Sequence, residues 1–435
     1  MISEKIILKY HAVQSFLAAE YYRNPSKKLK VLGITGTKGK STAANFVWAV
    51  LQKNNIKCGL VGTANIRIGE REEMNTSHMT MPGGWEMQKY FSDMVKNNCE
   101  VAVIEVTSEG IKQHRNDGIH FYAGMFTTLS PEHLPSHNNS FEEYKNTKKK
   151  FFTQLQKQNA GLIIVNGDNE FSHEFLEEDI KEKVLVSLQN NGKNKNDINA
   201  KIITMTTEKT FFSVGKEKYS LYIGGDKNVE NALLAIAIGK HFGLSANEIQ
   251  NGFESLRVIP GRMEKIEAGQ NFTVFVDYAH EEKSMTFITD LGQEIVKNYK
   301  ENNPKISDEK LPKILVLLGA EGGGRDPRKR PIMGELVGQK ADIVIVSNVD
   351  PYDDDPTPIC EDIAVACEKV GKIRNKNLFV IEDRRKGIAK VFELAQKNDI
   401  VFITGKGSEQ TITIGGKALS WDDRTVVREE LEKLY

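Results

Sequence analysis

The most specific chemical signal is a glycine-rich segment that reads GITGTKGKST over residues 33–42. Glycines let backbone N–H groups approach phosphate oxygens, Lys40 can neutralise the outer phosphates, and the Ser41 hydroxyl can bind Mg²⁺. The usual phosphate loop has a glycine five residues before Gly39, where this chain has Ile34. A simple helix entry is therefore the alternative interpretation. The predicted phosphate-binding residues are Gly36, Thr37, Lys38, Gly39, Lys40, Ser41 and Thr42.

A candidate metal ligand follows a second apolar run, VAVIEV at 101–106. Glu105 stands at the end of this run, which has the composition of a buried strand. Carboxylate oxygen is a ligand that Mg²⁺ prefers in proteins. We therefore predict that Glu105 lies beside the phosphate loop and binds Mg²⁺, with a strand-end acid that faces solvent as the alternative.

Alternating strand-like and helical patterns must position these residues, and they predict an α/β fold. Strand-like runs precede the glycine segment and recur at 101–106, 161–166 and 201–205, whereas the Asn/Lys-rich stretch 187–201 is predicted to be a surface loop. The pattern restarts near 255–264, after which five strand-like runs end in polar or glycine-rich residues. We predict an N-terminal helix and linker over 1–29, a P-loop-type and mostly parallel central sheet domain over 30–258, and a Rossmann-like α/β domain over 259–435.

Composition sets limits on the class of protein. The 435 residues are 39% hydrophobic and 27% charged with a net charge of zero, which favours a globular cytoplasmic protein and gives no sign of a nucleic-acid partner. No signal peptide and no membrane-spanning run is evident. The four cysteines form no CxxC pair. Apolar residues at helical spacing over 6–22 predict a helix packed on its own domain, with a membrane-surface role as the alternative.

Several further blocks follow the glycine segment in a fixed order. They read EVTSEGIKQHR, FTTLSPEHLPSH, YKNTK, GRME, VDYAH, GGGRDPRKRP, DPYDDDP and GKGSEQ. Together with the short glycine segment, this series resembles the Mur ligase and folylpolyglutamate synthase superfamily, and in particular the Mur ligases that form the tripeptide. The resemblance covers about residues 30–430. It implies an ATP-dependent, Mg²⁺-requiring, ADP-forming ligase that joins a carboxylate to an amine through an acyl-phosphate.

The resemblance also implies roles for residues that the pattern alone would leave ordinary. His133 matches the family's metal-site histidine, and Lys148 matches a lysine that is carbamylated by CO₂. By themselves, the three lysines at 148–150 would indicate a solvated helix face. The implied catalytic residues are Lys40, Glu105, His133 and Lys148. The implied metal ligands are Ser41, Glu105, His133 and Lys148.

Substrate roles follow from the same resemblance. The acceptor is expected to be a UDP-N-acetylmuramoyl dipeptide in peptidoglycan precursor synthesis, and the protein is expected to be a monomer whose third domain closes onto the central one. Residues that match acceptor contacts are Thr80, Thr107, Gln113 and Arg115. Residues that match positions near the nucleoside of ATP are Asp277, Tyr278 and His280. Residues that match positions around the incoming amino acid are Arg325, Asp350, Tyr352, Gly405 and Glu409.

The sequence departs from the family pattern in three places. About thirty residues precede the phosphate loop, which is too few for the family's own UDP-binding domain. The D-N-P-R element of diaminopimelate-adding members is Val349 to Tyr352 here, followed by three acids at 353–355. Acids suit a cationic amine better than a carboxylate, so we favour lysine or another diamine over diaminopimelate. The remaining changes place Glu132 and Pro135 in the usual D-H-L-D, Glu109 after the T-S pair, and Lys38 at the loop asparagine.

Two other functions stay open from the sequence. A folylpolyglutamate synthase-like ligase would share the loop and the chemistry, although the EVTSEGIKQHR, GRME and DPYDDDP blocks disfavour it. A non-catalytic ATP-binding protein could have the same fold, although Lys40, Glu105, His133 and Lys148 argue for catalysis.

Overall fold

The computed structural model describes residues 4–69, 71–75, 79–131, 134–205, 209–222 and 225–434. The chain divides into two compact units, Met1–Arg257 and Val258–Tyr435, which we call unit 1 and unit 2. His133, a predicted metal ligand, and its neighbour Glu132 lie outside the described residues.

Unit 1 alternates strands and helices from its second helix onward. Its helices are α1 (Glu4–Tyr21), α2 (Lys40–Lys53), α3 (Gly84–Lys96), α4 (Ser108–Lys112), α5 (Phe141–Lys157), α6 (Asp226–His241) and α7 (Ala246–Ser255), with 3₁₀ turns at Pro25–Lys28, Leu134–His137 and Ser172–Leu176. Its strands are β1 (Lys30–Thr35), β2 (Cys58–Val61), β3 (Asn65–Ile68), β4 (Arg71–Met74), β5 (Val101–Glu105), β6 (Phe121–Phe126), β7 (Leu162–Asn166), β8 (Glu182–Ser187), β9 (Ile198–Met205), β10 (Thr210–Val214) and β11 (Glu217–Leu221).

The strands of unit 1 form one sheet whose middle is parallel. Among the described residues its order is β11-β10-β9-β8-β7-β6-β1-β5-β2-β3-β4, and the pairs from β9 to β2 are parallel. β1 lies between β5 and β6, so the residues that follow these three strands meet at one edge of the sheet. β5 and β7 are buried along their whole length because helices cover both faces. The predicted strands are confirmed, although β9 begins at Ile198, inside the predicted surface loop.

Unit 2 is a second α/β domain. Its helices are α8 (Glu282–Asn302), α9 (Lys329–Lys340), α10 (Pro356–Lys369), α11 (Arg384–Leu394) and α12 (Asp423–Glu432), with a 3₁₀ turn at Asp308–Lys310. Its strands are β12 (Glu264–Ile266), β13 (Thr273–Asp277), β14 (Ile314–Leu318), β15 (Ile343–Val346), β16 (Leu378–Val380), β17 (Ile400–Thr404), β18 (Thr411–Ile414) and β19 (Lys417–Ser420). The main sheet has the order β12-β13-β17-β14-β15-β16, with β13 to β16 parallel. The five strands predicted in this region, β13 to β17, are confirmed.

Helix α1 packs on unit 1 through small residues rather than through its apolar ones. Ser15, Ala18 and Ala19 are buried at 2%, 0% and 1% exposure, and α1 lies against α3. The large apolar side chains point outward instead and are exposed: Ile6, Ile7, Tyr10, Val13, Phe16 and Leu17. The helix packs on its own unit, as predicted, but the apolar residues that indicated it do not form its buried face. No helix in the described part of the chain is long and apolar enough to cross a membrane.

Candidate functional site

The glycine loop of unit 1 has a shape that larger residues could not adopt. Gly36 has φ +148° and Gly39 has φ +85°, a backbone region that side chains disfavour. A Cβ on Gly36 would lie 1.9 Å from the Thr127 hydroxyl oxygen, and one on Gly39 would lie 2.3 Å from Oδ1 of Asn231. Both glycines therefore allow the loop to approach β6 and α6 closely.

Hydrogen bonds to the end of β6 hold this loop in place. The Thr37 N–H donates to the carbonyl oxygen of Thr128 at 2.6 Å. The Thr127 hydroxyl donates to the Lys38 carbonyl oxygen, also at 2.6 Å. The Thr37 hydroxyl lies 3.1 Å from the Tyr144 hydroxyl on α5. The loop is thus held by the end of β6 and by α5.

Two lysines converge on one carbonyl group of the loop. The Lys40 ammonium donates to the carbonyl oxygens of Gly36 at 3.0 Å and of Thr37 at 2.9 Å. Lys148, which is 1% exposed, donates from Nζ to the same Gly36 oxygen at 2.9 Å. The interpretation of Lys148 as part of a solvated helix face is therefore wrong. The structure brings together two predicted catalytic residues that are 108 positions apart in the numbering of the chain.

Helix α2 begins at this loop and presents its N-terminus to it. Ser41 and Thr42 stand in its first turn and are buried. Gly39 occupies the N-cap position and offers no side-chain hydrogen bond. The first amides of a helix and its dipole favour an anion at this end. The simple helix entry considered above does not account for the two convergent lysines.

Glu105 is buried at the carboxyl end of β5, next to the glycine loop. It is 1% exposed and pairs in register with Ile34 of β1. Its carboxylate accepts hydrogen bonds from the Thr63 N–H at 2.7 Å and from the Thr63 hydroxyl at 3.2 Å. The Thr63 hydroxyl also lies 2.9 Å from the Thr80 hydroxyl. A solvent-facing role for Glu105 is therefore wrong, and Thr63 links it to a predicted acceptor contact.

The structure also identifies a histidine that the sequence interpretation did not select. His137 ends the 3₁₀ turn Leu134–His137, is fully buried, and has Nε2 3.1 Å from the Ser108 hydroxyl. Its ring contacts the Tyr144 ring at a centroid distance of 5.1 Å. In the described part of the chain, its Nδ1 atom has no hydrogen-bond partner. Burial, assisted by the charge of Lys112, lowers the pKa of His137.

The residues predicted to contact the acceptor form a connected group on and after α4. Thr107 caps α4 by accepting a hydrogen bond from the Gly110 N–H at 2.9 Å. Arg115 donates from Nη1 to the Met81 carbonyl oxygen at 2.7 Å and from Nη2 to Oε1 of Gln113 at 2.6 Å. Burial lowers the pKa of the Arg115 guanidinium, which nevertheless stays charged in proteins. Gln113 therefore orients a cation that suits an anionic group.

No group of three or more His, Cys, Asp or Glu side chains that could hold a metal occurs among the described residues. The predicted magnesium ligands would not form such a group, because only Glu105 among the described ones is an acid. The others are the Ser41 hydroxyl and Lys148, which would bind a metal as its carbamate. A buried carboxylate beside a phosphate loop fits a hard cation that shares its coordination with phosphate oxygens. His133, the remaining predicted ligand, lies outside the described residues.

In unit 2, a buried lysine joins two of the residues predicted to hold the amino acid. Lys406 is 1% exposed and donates to Oδ2 of Asp350 at 2.6 Å and to Oε2 of Glu409 at 2.5 Å. Asp350 also accepts from the Thr413 N–H at 2.7 Å, and Glu409 accepts from the Tyr278 hydroxyl at 3.2 Å. Burial alone would lower the pKa of Lys406, but the two carboxylates raise it above its ordinary value. This cluster is therefore an ion-paired group that ties three loops together.

Arg325 and Tyr352 form a second pair in unit 2. The guanidinium carbon lies 5.9 Å from the centre of the Tyr352 ring, and the neighbouring Tyr352 phenol raises the pKa of Arg325. Tyr352 has φ +57° and packs on Gly323, where a Cβ would lie 2.6 Å from Cδ2 of its ring. The ring is thereby positioned beside a cation that could bind a carboxylate.

The residues predicted to lie near the nucleoside shape the end of β13. Asp277 accepts from the Met263 N–H at 2.7 Å and from the Ala279 N–H at 2.8 Å. His280 donates from Nδ1 to the Tyr278 carbonyl oxygen at 2.7 Å. Burial raises the pKa of Tyr278 well above its ordinary value, so the phenol stays protonated. These contacts are internal to unit 2, and the nucleoside role of these residues stays a prediction.

Two of the three acids that favoured lysine over diaminopimelate, Asp354 and Asp355, are engaged by the protein itself, whereas Asp353 is exposed. Asp350 is paired with Lys406. Asp354 accepts from the Gly323 N–H at 2.8 Å, and Asp355 caps α10 by accepting from the Thr357 N–H at 2.9 Å. These carboxylates hold turns and a helix end, so they give no support for a free cationic amine. The preference for lysine therefore stays a prediction that rests on Asp353 among these three acids.

Several residues that build the site were not selected from the sequence. Thr127 and Thr128 directly follow β6, and their position after an apolar run next to β1 is a signal that could have identified them. Lys406 stands inside the GKGSEQ block, of which only Gly405 and Glu409 were selected. Thr63 and Asn231 carry no signal in the sequence, because their contacts with Glu105 and Gly39 exist only in the folded sheet.

A phosphate loop on a parallel sheet, followed by a second parallel α/β unit, defines a nucleotide-using α/β enzyme of two units. Residues 34–239 match the Mur ligase middle domain, and residues 261–407 match the Mur ligase, glutamate ligase domain. The chain belongs to the Mur ligase family, and the predictions of that family and of an ATP-dependent amide ligase are confirmed.

Individual proteins agree with this assignment. A UDP-N-acetylmuramoyl-L-alanyl-D-glutamate–2,6-diaminopimelate ligase of Caldanaerobacter subterraneus is 36% identical over 424 residues, which are 97% of this chain and 82% of that protein. A solved structure of a ligase of the same name has a TM-score of 0.63 at 23% identity and covers 100% of this chain and 84% of its own. Folylpolyglutamate synthase of Mycobacterium tuberculosis, complexed with ADP and AMPPCP, has a TM-score of 0.66 at 16% identity over 91% of this chain and 92% of its own. The two structural matches show the fold alone.

Proposed function

We propose that the protein adds a diamino acid to a UDP-N-acetylmuramoyl dipeptide, with cleavage of ATP to ADP, in the synthesis of a peptidoglycan precursor. The observation that carries this proposal is the convergence of Lys40 and Lys148 on the Gly36 carbonyl oxygen, beside buried Glu105. That arrangement suits a polyphosphate and a metal ion. The sequence relatives named for this reaction, together with the EVTSEGIKQHR and GRME blocks, favour the muramoyl acceptor over a folate.

Unit 1 supplies the groups that act on ATP. The amides of the glycine loop and of the first turn of α2 bind phosphate oxygens, and Lys40 exchanges its bonds to the loop carbonyls for bonds to phosphate. Ser41 and Glu105 would hold Mg²⁺, together with His133 by resemblance. The ion would offset the negative charge of the phosphate oxygens and of the acceptor carboxylate during phosphoryl transfer.

Lys148 is suited to carbamylation because it is buried beside another cation. Two ammonium groups that share the Gly36 oxygen repel each other, and burial of Lys148 strengthens the repulsion. Reaction of the neutral amine with CO₂ would form an N–C bond and release one proton from the nitrogen to solvent. Lys148 would become an anion with two oxygens and would keep one N–H for the Gly36 carbonyl. The carbamate oxygens would then attract Lys40 or Mg²⁺, where the ammonium would repel them.

The reaction forms two bonds in sequence. An oxygen of the acceptor carboxylate attacks the γ-phosphorus of ATP, the bond to the bridging oxygen breaks, and ADP leaves with the electron pair. The neutral amine of the amino acid then attacks the acyl-phosphate carbon, and inorganic phosphate leaves while the nitrogen loses a proton. Arg115 and Gln113 hold the acceptor, and Arg325 holds a carboxylate of the amino acid.

The proposal is tested by phosphate release from purified protein with ATP and Mg²⁺. UDP-N-acetylmuramoyl-L-alanyl-D-glutamate is offered with diaminopimelate, lysine, ornithine or glutamate in turn, and the nucleotide product is identified. We expect ADP, and amide formation with one diamino acid. Formation of AMP and pyrophosphate would contradict the mechanism, and release that depends on a folate would favour the folylpolyglutamate synthase-like alternative. Absence of any amino-acid-dependent release would favour a non-catalytic ATP-binding protein.

A further inference from the structure

A pocket in unit 1 joins the N-terminal helix to the predicted acceptor residues. Its volume is about 330 Å³, within the range of roughly 300–1,000 Å³ common for small-molecule sites. Gln113 and Arg115 line it together with His11 and Gln14 of α1. Trp85, in the first turn of α3, lines it as well. The pocket therefore contains a residue group that the Mur ligase blocks of the sequence did not indicate.

Close contacts fix α1 as one wall of this pocket. A Cβ on Gly84 would lie 2.5 Å from the Ser15 hydroxyl oxygen and 2.8 Å from its Cα. A Cβ on Gly118 would lie 2.9 Å from Cβ of Ala19. Such contacts leave no room for α1 to rotate or move inward, because packed interiors resist small changes of volume. His11 and Gln14 stand on the same side of α1 as buried Ser15, so docking of the helix directs them toward the pocket.

The chemistry of the lining is that of a site for a polar ring-shaped group, because charged and amide side chains lie beside an exposed indole. The acid of the lining, Glu86, accepts a hydrogen bond from the Tyr90 hydroxyl at 2.9 Å. Arg115 supplies a charged donor held by Gln113. The His11 imidazole and the Gln14 amide supply further hydrogen-bonding groups from α1. Trp85 is 41% exposed and is braced by edge contacts from Tyr21 and Tyr22 of the chain segment at the end of α1, at centroid distances of 5.5 and 6.4 Å. A braced and exposed indole offers a flat apolar surface to a sugar ring.

We propose that α1 is part of the acceptor-binding site. His11 and Gln14 bind hydroxyl or amide groups of the acceptor's amino-sugar portion, Trp85 packs against the sugar ring, and Arg115 binds the nearby carboxylate or peptide group. This inference rests on the proposed muramoyl acceptor and adds to it residues of α1, which precedes the segment 34–239 that matches the Mur ligase middle domain.

The first experiment measures steady-state kinetics of the double variant His11→Ala/Gln14→Ala. Loss of two hydrogen bonds should raise the KM for UDP-N-acetylmuramoyl-L-alanyl-D-glutamate about tenfold, while kcat and the KM for ATP stay within about twofold. Val13→Ala is the matched control, because it truncates a side chain of the same helix that is 56% exposed and outside the pocket. An unchanged acceptor KM in the double variant, or an equal rise in the control, would overturn the proposal.

A second measurement separates this proposal from the ligase function itself. Fluorescence of Trp85 is followed without ATP during titration with the same acceptor, and with UDP alone in a parallel titration. We expect a change with the acceptor that is absent in Trp85→Phe, weaker in the double variant, and small with UDP. If this pattern holds although no amino-acid-dependent phosphate release occurs, the α1 site stands and the proposed ligation does not. If turnover occurs but the acceptor leaves Trp85 fluorescence unchanged, or UDP alone gives the full change, the ligase function stands and the α1 site is wrong.

Discussion

The two units hold their predicted ligands in different ways. In unit 1 the phosphate loop is shaped mainly by backbone, with two glycines in conformations that side chains disfavour and with carbonyl oxygens that orient Lys40 and Lys148. In unit 2 the amino-acid residues are held by one another, because buried Lys406 ties Asp350 to Glu409. The shape of a site formed by backbone is set by residues that are close together in the sequence. The shape of a site formed by ion pairs depends on contacts between segments that are far apart in the sequence.

This difference has a consequence for tolerance to mutation. Loss of a side chain that binds phosphate leaves the loop of unit 1 intact, since other elements hold it. Loss of a member of the unit 2 cluster leaves a buried charge without its partner, which costs stability as well as function. We therefore expect activity and stability to separate in unit 1 and to change together in unit 2.

The largest expected effect is on activity and comes from Lys40→Ala. Removal of a cation that neutralises developing charge in a phosphoryl-transfer site costs about 10²–10³ in kcat. The thermal unfolding midpoint should change by no more than a few degrees, because the bonds of Lys40 to Gly36 and Thr37 lie in a loop that β6 also holds. Phosphate release and a thermal melt check both parts, with Lys53→Ala at the far end of α2 as the control. A large loss of stability in Lys40→Ala would contradict the proposal that activity and stability change independently in unit 1.

In unit 2, Lys406→Met should destabilise the protein by about 3–5 kcal/mol, the cost of leaving a buried ion pair half broken. Two carboxylates, Asp350 and Glu409, would then face each other without a cation. The double variant Lys406→Met/Asp350→Asn should recover part of the loss, since one of the two buried charges is gone. Urea unfolding of the single and double variants tests this coupling.

A cost below about 1 kcal/mol for Lys406→Met, or no recovery in the double variant, would show that the cluster does not hold unit 2 together. Lys390→Met is a suitable control, because Lys390 pairs with Glu393 on a surface where salt bridges contribute little.

The same difference explains how far the sequence could predict the molecule. The β1 strand, the glycine turn and α2 are contiguous in the chain, so apolar spacing and residue type were enough to place Lys40 and Ser41. Glu105 followed from its place at the end of a buried strand, whereas Lys148 needed the family pattern, because a lysine run alone indicates a solvated helix face. The pairing of Lys406 with Asp350 joins segments 56 positions apart, and no periodic pattern reports such a contact.

Helix α1 shows a different limit of sequence interpretation. Its apolar residues have the spacing of a buried face, yet the face that packs carries Ser15, Ala18 and Ala19. Small residues allow two helices to approach closely where glycine stands opposite, as Gly84 does here. Hydrophobic spacing predicts that a helix forms, but steric fit with its neighbours decides which face is buried.

Gly39→Ala tests the backbone part of the comparison directly. The new Cβ would lie 2.3 Å from Oδ1 of Asn231 in a backbone with φ +85°. We expect a loss of about 1–3 kcal/mol in stability, together with weaker ATP binding because the loop must move. Gly243→Ala is a matched control, since Gly243 has φ +81° and nothing within 4 Å of the new Cβ. Strain alone should appear in both variants, so an equal effect on ATP binding would show that close approach to α6 is not needed.

The smallest expected effect concerns His137, a buried titratable residue in unit 1. The comparison of the two units attributes stability from buried charged groups to unit 2 and not to unit 1. Burial and Lys112 lower the pKa of His137 below its unfolded value of about 6.5. Above that pH both states are neutral and His137 adds no pH dependence. As the pH falls below about 6.5, the unfolded chain takes up a proton that the folded chain resists, so stability falls.

His137→Gln keeps a group that can bond the Ser108 hydroxyl but does not titrate. Its stability should therefore fall less than that of the unchanged protein between pH 7.5 and 5.5, measured by urea unfolding at each pH. His173→Gln, at an exposed position, should leave the slope unchanged. If His137→Gln leaves the slope intact, the acid sensitivity of unit 1 arises elsewhere. If His137→Gln reduces the dependence of stability on pH, the fold of unit 1 also controls the charge state of a buried group. Unit 1 and unit 2 then differ only in how much their buried charged groups contribute to stability.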